Sequence, residues 1–158
     1  MQQYDVVIIG SGTAGQSSAY NLAAEGYNIA LVEESDKPGG VCALKGCQAK
    51  KWFYEAAETV ARSRHLLNIG VTRPPEMSWQ QILREKNTFT SQVPENTVNG
   101  LRGNEITYIK GTAKFVDKYT LQVGEETIRA RYFIIATGAK PRELPFEGSR
   151  YLATSDDF

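Results

Sequence analysis

The chain has 158 residues, of which 41% are hydrophobic, and this length suits one domain with a buried core. Basic and acidic residues number 18 each, so the net charge is zero and a nucleic-acid partner is not expected. No apolar run has the length of a membrane span, and the N-terminus lacks a signal peptide, which predicts a cytoplasmic protein without a membrane partner.

The N-terminal part of the chain has the pattern of a strand–helix–strand unit. Residues 4–9 (YDVVII) form a β-branched run that predicts a buried strand. Residues 13–25 have apolar residues at helical spacing, and Gly26 follows where a helix C-cap glycine belongs. Residues 28–32 (NIALV) predict a second strand. The whole unit has the size of a βαβ motif.

The rest of the chain predicts further helices and strands. Helical spacing covers residues 41–67 and again residues 78–101, where Pro94 is expected to disturb the second helix. A third strand is predicted at residues 105–109. Alternating residues and turn signals predict a small antiparallel meander within residues 111–129, and residues 131–136 (RYFIIA) predict a fourth parallel strand.

A glycine-rich loop joins the first strand to the first helix. Gly10-Ser11-Gly12-Thr13-Ala14-Gly15 fits the pattern G-x-G-x-x-G, and in this context the pattern favours a dinucleotide site over an unrelated glycine turn. Gly10 permits the tight turn, Gly12 lets a pyrophosphate approach the backbone, and Gly15 lets the helix lie close to the strand. Glu33, at the end of the second strand, is expected to accept hydrogen bonds from ribose hydroxyls.

The chain contains two cysteines, Cys42 and Cys47, and a single histidine, His65. This set is too small for a closed zinc site, so no metal is predicted, and a disulfide staple across so short a loop would add little stability. A dithiol/disulfide redox couple remains. Positions five apart in a helix are separated by roughly 7.5 Å, too far for a disulfide, so the regular helix is predicted to begin near Gly46 or Cys47.

Five motifs together carry a family resemblance: VVIIGSGTAG, VEE, GGVCALKGCQAKK, KGTAKF and FIIATGAKPRELP, in that order. The sequence resembles the N-terminal part of the class I pyridine nucleotide-disulfide oxidoreductases, the dihydrolipoamide dehydrogenase, glutathione reductase and mercuric reductase family. The likeness covers essentially the whole chain. It implies an α/β, Rossmann-like FAD-binding domain with a parallel sheet, helices on both faces and a small antiparallel β-meander.

The same resemblance implies the chemistry. NAD(P)H would reduce FAD, FAD would reduce a Cys42–Cys47 disulfide, and Cys42 would exchange with a small-molecule disulfide, dithiol or lipoyl-type substrate. Cys42 would be the interchange thiol and Cys47 the charge-transfer thiol, with Lys50 or Lys51 near flavin N5. The complete protein would be a homodimer.

Resemblance and motif together give a set of expected cofactor-binding residues, most of them small. These are Gly10, Ser11, Gly12, Thr13, Ala14, Gly15, Glu33, Glu34, Gly39, Gly40, Val41, Cys42, Gly46, Cys47, Lys51, Gly111, Thr112, Ala113, Ala136, Thr137 and Gly138.

The sequence departs from the family pattern around the cysteines. Leu44-Lys45 replaces an Asn-Val pair, and Gln48-Ala49 replaces an apolar residue and a proline. Residues 1–158 are expected to be an incomplete FAD-binding domain that lacks the NAD(P)-binding and dimer-interface domains and is inactive alone. One alternative is a stand-alone nucleotide- or flavin-binding module without catalytic activity of its own. Another is a structural thiol pair in a cofactor-free domain.

Overall fold

The computed structural model describes residues 2–154 and 156–157. Within these residues the regular elements follow one another as β1 (Gln2–Ile9), α1 (Thr13–Ala24), β2 (Ile29–Glu33), α2 (Gly40–Leu44), α3 (Cys47–His65), α4 (Trp79–Gly103), β3 (Thr107–Lys110), β4 (Ala113–Asp117), β5 (Thr120–Val123) and β6 (Glu126–Ile135). A 3₁₀ turn follows at Ser149–Tyr151.

The strands form one mixed sheet in the order β3-β2-β1-β6-β5-β4. The β3-β2-β1-β6 part is parallel, and the β6-β5-β4 part is antiparallel, which confirms the predicted α/β fold class with its meander. The predicted boundary between the meander and the fourth parallel strand does not exist. One continuous strand, β6, pairs with β1 on one side and with β5 on the other.

Apolar residues cover both faces of the sheet. On one face, Ile8, Leu31 and Ile106 are buried with Ala19 of α1 and Leu101 of α4, so these two helices close that face. The core cluster on the other face consists of strand residues alone, from β1 and β2 together with β5 and β6. Burial of branched side chains on both faces explains why β1 and β2 read as nearly continuous apolar runs.

Helix α1 ends as the sequence predicts. Gly26 has a positive φ of 86°, its N–H donates to the Ala23 carbonyl at 2.9 Å, and Tyr27 N–H donates to the Leu22 carbonyl at 3.2 Å. This pair of bonds is the Schellman motif, which satisfies carbonyls that the helix itself leaves free. The cap turns the chain sharply into β2 and keeps the strand–helix–strand unit short.

The predicted helix over residues 41–67 is two helices. The Val41 carbonyl accepts from both Lys45 N–H and Gly46 N–H, at 2.9 and 2.6 Å, which ends α2. Gly46 is the N-cap of α3, whose first residue is Cys47. A Cβ at Gly46 would lie only 3.2 Å from the Cα of Cys42, so the chain folds back closely at this point. The prediction that a regular helix begins near Gly46 or Cys47 is confirmed.

Helices α3 and α4 pack through aromatic side chains. The rings of Phe53 and Trp79 stack at 4.7 Å, and those of Trp52 and Phe89 approach to 6.4 Å. Helix α4 continues through Pro94, so the expected disturbance does not end the helix. Across the described part of the chain, no helix has a long enough apolar stretch to cross a membrane.

Candidate functional site

A cavity of about 550 Å³ lies at the carboxyl ends of β1, β2 and β6. Its walls come from the glycine loop after β1, from Glu33 and the residues after it, and from the turn that follows β6. Residues 40–42, 44–45, 111–113 and 156 complete the lining. Ligands of open α/β folds bind at this edge of the sheet, so the position alone favours a binding site.

Backbone packs directly against backbone in the glycine loop. Gly10 has a φ of 107°, and a Cβ there would overlap the Ala136 carbonyl oxygen. A Cβ at Gly15 would overlap the Gly10 carbonyl oxygen, so Gly15 lets α1 lie close to β1 as predicted. A Cβ at Gly40 would overlap the Cα of Gly12. The loop is therefore locked between the turn after β6 and the start of α2.

The N-terminus of α1 opens into this cavity. Its N-cap is Gly12, which has no side chain to cap the helix, and the first turn contains no acidic residue. Thr13 and Ala14, the first helical residues, line the cavity. The first N–H groups of a helix have no partner inside it, and they attract anionic groups. A phosphate or pyrophosphate therefore fits this wall of the cavity.

Glu33 is held by several hydrogen bonds. Ser11 N–H and Ser11 Oγ donate to its Oε2 at 2.7 and 2.6 Å, and Ser35 N–H donates to its Oε1 at 2.7 Å. Partial burial raises the pKa of Glu33, but these hydrogen bonds outweigh it and hold the pKa below its ordinary value. The carboxylate is therefore ionised at neutral pH. Whether it binds ribose, as the sequence predicts, stays a prediction.

Segment 110–112 clamps the chain after β2. Lys110 Nζ donates to the Glu34 carbonyl at 2.5 Å and pairs with Asp36 Oδ1 at 2.9 Å. Gly111 N–H donates to the Glu33 carbonyl at 2.9 Å. Thr112 Oγ1 lies 3.5 Å from Glu34 Oε2. These contacts fix the Glu33 end of the cavity to β3.

The two cysteines occupy different positions. Cys42 is half-buried in α2 and lines the cavity, whereas Cys47 is exposed at the start of α3 and is not among the lining residues. Both are free thiols. Lys50 and Lys51 are exposed on α3 and, like Cys47, lie outside the lining. The structure thus brings one predicted redox thiol, Cys42, to the cavity and leaves Cys47 outside its lining.

An ion pair lies at the end of the cavity that Cys42 lines, called the thiol end below. Lys45 Nζ lies 3.1 Å from Asp156 Oδ2, and both residues line the cavity. Asp156 N–H donates to Thr154 Oγ1 at 3.1 Å, which holds the acidic residue in a turn. The pair joins the segment between the cysteines to a residue 111 positions further along the chain.

Most predicted site residues line the cavity. These are Gly10, Ser11, Gly12, Thr13, Ala14, Glu33, Glu34, Gly40, Val41, Cys42, Gly111, Thr112, Ala113, Ala136, Thr137 and Gly138. Of the others, Cys47, Lys50 and Lys51 are exposed on α3 and do not line the cavity. Gly15 and Gly39 are buried in contacts with neighbouring elements, and Gly46 caps α3.

Sequence reasoning missed several lining residues, namely Ile9, Val32, Ser35, Lys37, Leu44, Lys45, Ala139, Lys140 and Asp156. Most of them are close in sequence to predicted residues, and this closeness to the motifs could have been used to predict them. Asp156 had no such signal, because its contact with Lys45 arises only from the fold. Among residues 2–154 and 156–157, no three His, Cys, Asp or Glu residues come together in a group that could hold a metal.

The sequence is similar to known proteins along almost its whole length. Residues 4–158 match the family model described as pyridine nucleotide-disulphide oxidoreductase. The chain is 32% identical over 148 residues to a dihydrolipoyl dehydrogenase of Chlamydia pneumoniae, covering 91% of this chain and 32% of that protein. It is 31% identical over 148 residues to a dihydrolipoyl dehydrogenase of Bacillus subtilis (strain 168), covering 89% of this chain and 32% of that protein.

The fold also matches solved structures. The HOCl-induced flavoprotein disulfide reductase RclA from Escherichia coli superimposes with a TM-score of 0.74 at 27% sequence identity. That match covers 92% of this chain and 30% of the RclA chain. The chain therefore spans about a third of the length of the curated relatives and solved structures that it matches.

Proposed function

The chain belongs to the pyridine nucleotide-disulphide oxidoreductase family, and on that premise we propose that it is the FAD-binding portion of a flavin-dependent disulfide oxidoreductase. The observation that carries the proposal is a single cavity that joins a glycine loop, an ionised Glu33 and the thiol of Cys42. A dinucleotide site and a thiol thus share one space.

The residues around the cavity fit the diphosphate and adenosine parts of FAD. The uncapped N-terminus of α1, after Gly12, would hold the pyrophosphate. Glu33 would accept a hydrogen bond from the adenosine ribose, since a carboxylate oxygen such as Oε1 can accept a second hydrogen bond besides the one from Ser35 N–H. Segment 111–113 would lie beside the adenine, and segment 136–138 beside the flavin end.

Bound FAD would supply the ability to accept a hydride from NAD(P)H and to pass electrons in pairs. In the proposed reaction Cys42 and Cys47 give up two electrons and two protons when they form a disulfide, and they regain them when it is reduced. A substrate disulfide would take up the same two electrons and two protons through thiol–disulfide exchange at Cys42. A dithiol substrate would drive the exchange in the opposite direction.

Cys42 is half-buried and Cys47 is exposed, so both thiols have some access to solvent. Attack on a disulfide needs an accessible thiolate, and the fold-back at Gly46 holds the two cysteines in adjoining helices. The substrate is proposed as a small disulfide, a dithiol or a lipoyl group. The reductant is proposed as NADH or NADPH, bound by parts of the polypeptide outside these residues.

The proposal is tested on the complete polypeptide that contains this sequence. The purified protein should show flavin absorbance, and NADH or NADPH should reduce lipoamide or an aromatic disulfide in its presence. The Cys47→Ser variant should lose any long-wavelength charge-transfer band, whereas Cys42→Ser should retain or strengthen it. Both substitutions should abolish disulfide reduction without releasing the flavin.

The outcomes separate the proposal from its alternatives. Flavin binding without turnover in the complete protein would favour a stand-alone flavin-binding module. A protein that binds no flavin would leave the cysteines as a structural pair and would overturn the proposal. Equal charge-transfer bands in both variants would contradict the assignment of the two thiols.

A further inference from the structure

The side chain of Ser11 is fully buried beneath the cavity. Its Oγ donates to Glu33 Oε2 at 2.6 Å and accepts from Gly39 N–H at 3.0 Å. Its own N–H donates to the same carboxylate oxygen at 2.7 Å. One serine therefore links three separate segments: the glycine loop, the end of β2 and the start of α2.

The hydroxyl of Ser11 has no donor to spare. A serine hydroxyl has one hydrogen to donate, and here it goes to Glu33. Removal of Oγ would take one hydrogen bond from the carboxylate and leave the Gly39 N–H without a partner. A buried polar group left unpaired is costly, so the contacts at Ser11 fix the positions of both neighbours.

The Gly39 link leads to the redox thiol. Gly39 is the N-cap of α2, and Cys42 is the third residue of that helix. Gly39 and Gly40 are packed tightly against other elements, since a Cβ at Gly39 would overlap Val93 of α4 and one at Gly40 would overlap Gly12. A shift of Gly39 relative to Ser11 therefore moves Cys42 with it.

We propose that Ser11 is a positioning residue that couples the adenosine end of the cavity, at Glu33, to the thiol end, at Cys42. Occupation of Glu33 by a ribose hydroxyl changes the hydrogen bonding of the carboxylate, and Ser11 Oγ transmits that change to Gly39. The inference rests on the proposed function, because it takes an adenine dinucleotide as the ligand.

The first test compares Ser11→Ala with Ser17→Ala in the complete polypeptide after removal of the flavin. Ser17 is an exposed residue of the same glycine loop–helix unit. We expect Ser11→Ala to weaken FAD binding about tenfold and FMN binding far less, because FMN lacks the adenosine that Glu33 would hold. Ser17→Ala should change neither affinity. Equal losses for FAD and FMN would overturn the inference.

The second test measures coupling directly with ADP, which can fill the adenosine end but has no flavin ring to shield Cys42. Trypsin cleaves after Lys45 and Lys50, so the two cysteines fall in different peptides and their alkylation by iodoacetamide is read separately. In the parent protein, ADP should change the alkylation rate of Cys42 about fivefold, a typical coupling between sites. In Ser11→Ala the change should fall below about twofold.

A second variant, Ser11→Gly, also removes the hydroxyl and should give the same result. An ADP effect of equal size in the parent and in both variants would show that Ser11 does not couple the two ends. A parent protein that binds neither FAD nor ADP would instead refute the proposed function itself, so the two failures are distinguishable.

Discussion

At the glycine-loop end of the cavity, backbone packs against backbone and the polar groups are buried. Gly10 touches Ala136, Gly40 touches Gly12, and Ser11 is fully buried with its hydrogen bonds satisfied. At the thiol end, Cys42 is only half-buried and the Lys45–Asp156 pair is partly solvated. The first end is closely packed, whereas the second is partly open to solvent.

This difference fits the proposed function, in which a cofactor would stay bound and a substrate would leave. A tightly held group benefits from a rigid site, because little ordering entropy is lost on binding. A thiol that exchanges with substrates needs solvent access. The comparison predicts large effects for substitutions at the glycine-loop end and small ones at the thiol end.

The largest effect is expected for Gly10→Ala. The new Cβ would overlap the Ala136 carbonyl oxygen, and φ at this position is 107°. We expect a loss of about 3 kcal/mol in the free energy of unfolding, from overpacking and backbone strain, together with loss of FAD binding. Urea unfolding and flavin retention on gel filtration measure the two effects.

The control for Gly10→Ala is Gly103→Ala. Gly103 is the last residue of α4 and has open space where a Cβ would lie. Alanine there should be neutral or stabilise the helix by up to about 1 kcal/mol. Similar losses in both variants would show that the loop is less rigid than its packing implies.

An intermediate effect is expected for Glu33→Gln. The hydrogen bonds from Ser11 and Ser35 lower the pKa of Glu33 below its unfolded value, so ionised Glu33 stabilises the fold above the unfolded pKa. That contribution is lost as the pH falls through the lower folded pKa. Because Glu33 is half-buried, we expect Glu33→Gln to lose about 1 kcal/mol at pH 7.

The pH dependence sharpens this prediction. The difference in unfolding free energy between the parent and Glu33→Gln should shrink as the pH falls below the ordinary pKa of a glutamate and through the lower pKa of folded Glu33. Glu34→Gln is the matched control, since Glu34 is exposed and should show little change. A difference that grows at acidic pH would contradict the direction of the pKa shift.

The smallest effect is expected for Lys45→Met. Lys45 Nζ lies 3.1 Å from Asp156 Oδ2, but the two side chains are 42% and 28% exposed. An ion pair of this kind contributes about 0.5 kcal/mol, and salt screens it. Urea unfolding at low and high salt should show a small loss that disappears at high salt. Lys50→Met, at an exposed position on α3, should have no effect at either salt concentration.

A loss above about 2 kcal/mol in Lys45→Met would break the comparison, since it would mean that the thiol end is fixed as firmly as the glycine loop.

The helix ends and the glycine loop could be predicted because they depend on residues that are close together in sequence. Gly26 ends α1 because only a glycine adopts its positive φ easily, and Gly46 separates α2 from α3 because the chain folds back there. The glycine loop and Cys42 were predicted to line the site because each lies in a short contiguous sequence motif. These parts of the fold and site needed no information from distant residues.

The features that were missed depend on distant residues. The meander and the fourth strand merge into β6 because β1 and β5 flank the same strand, which turn signals do not reveal. Helix α4 passes through Pro94, where propensity alone predicted a disturbance. The Lys45–Asp156 pair and the Ser11–Gly39 hydrogen bond join segments that are far apart in sequence, so no local sequence pattern predicts them.

The continuity of β6 has a consequence for sequence variation. A strand advances about 3.3 Å per residue, and successive side chains alternate between faces. One inserted residue within β6 would shift the turn at Ala136 by that distance, or would turn Ile128 and Ala130 out of the core. Homologues should therefore tolerate length changes in the hairpin tips at residues 118–119 and 124–125 but keep the number of residues from 126 to 135 constant.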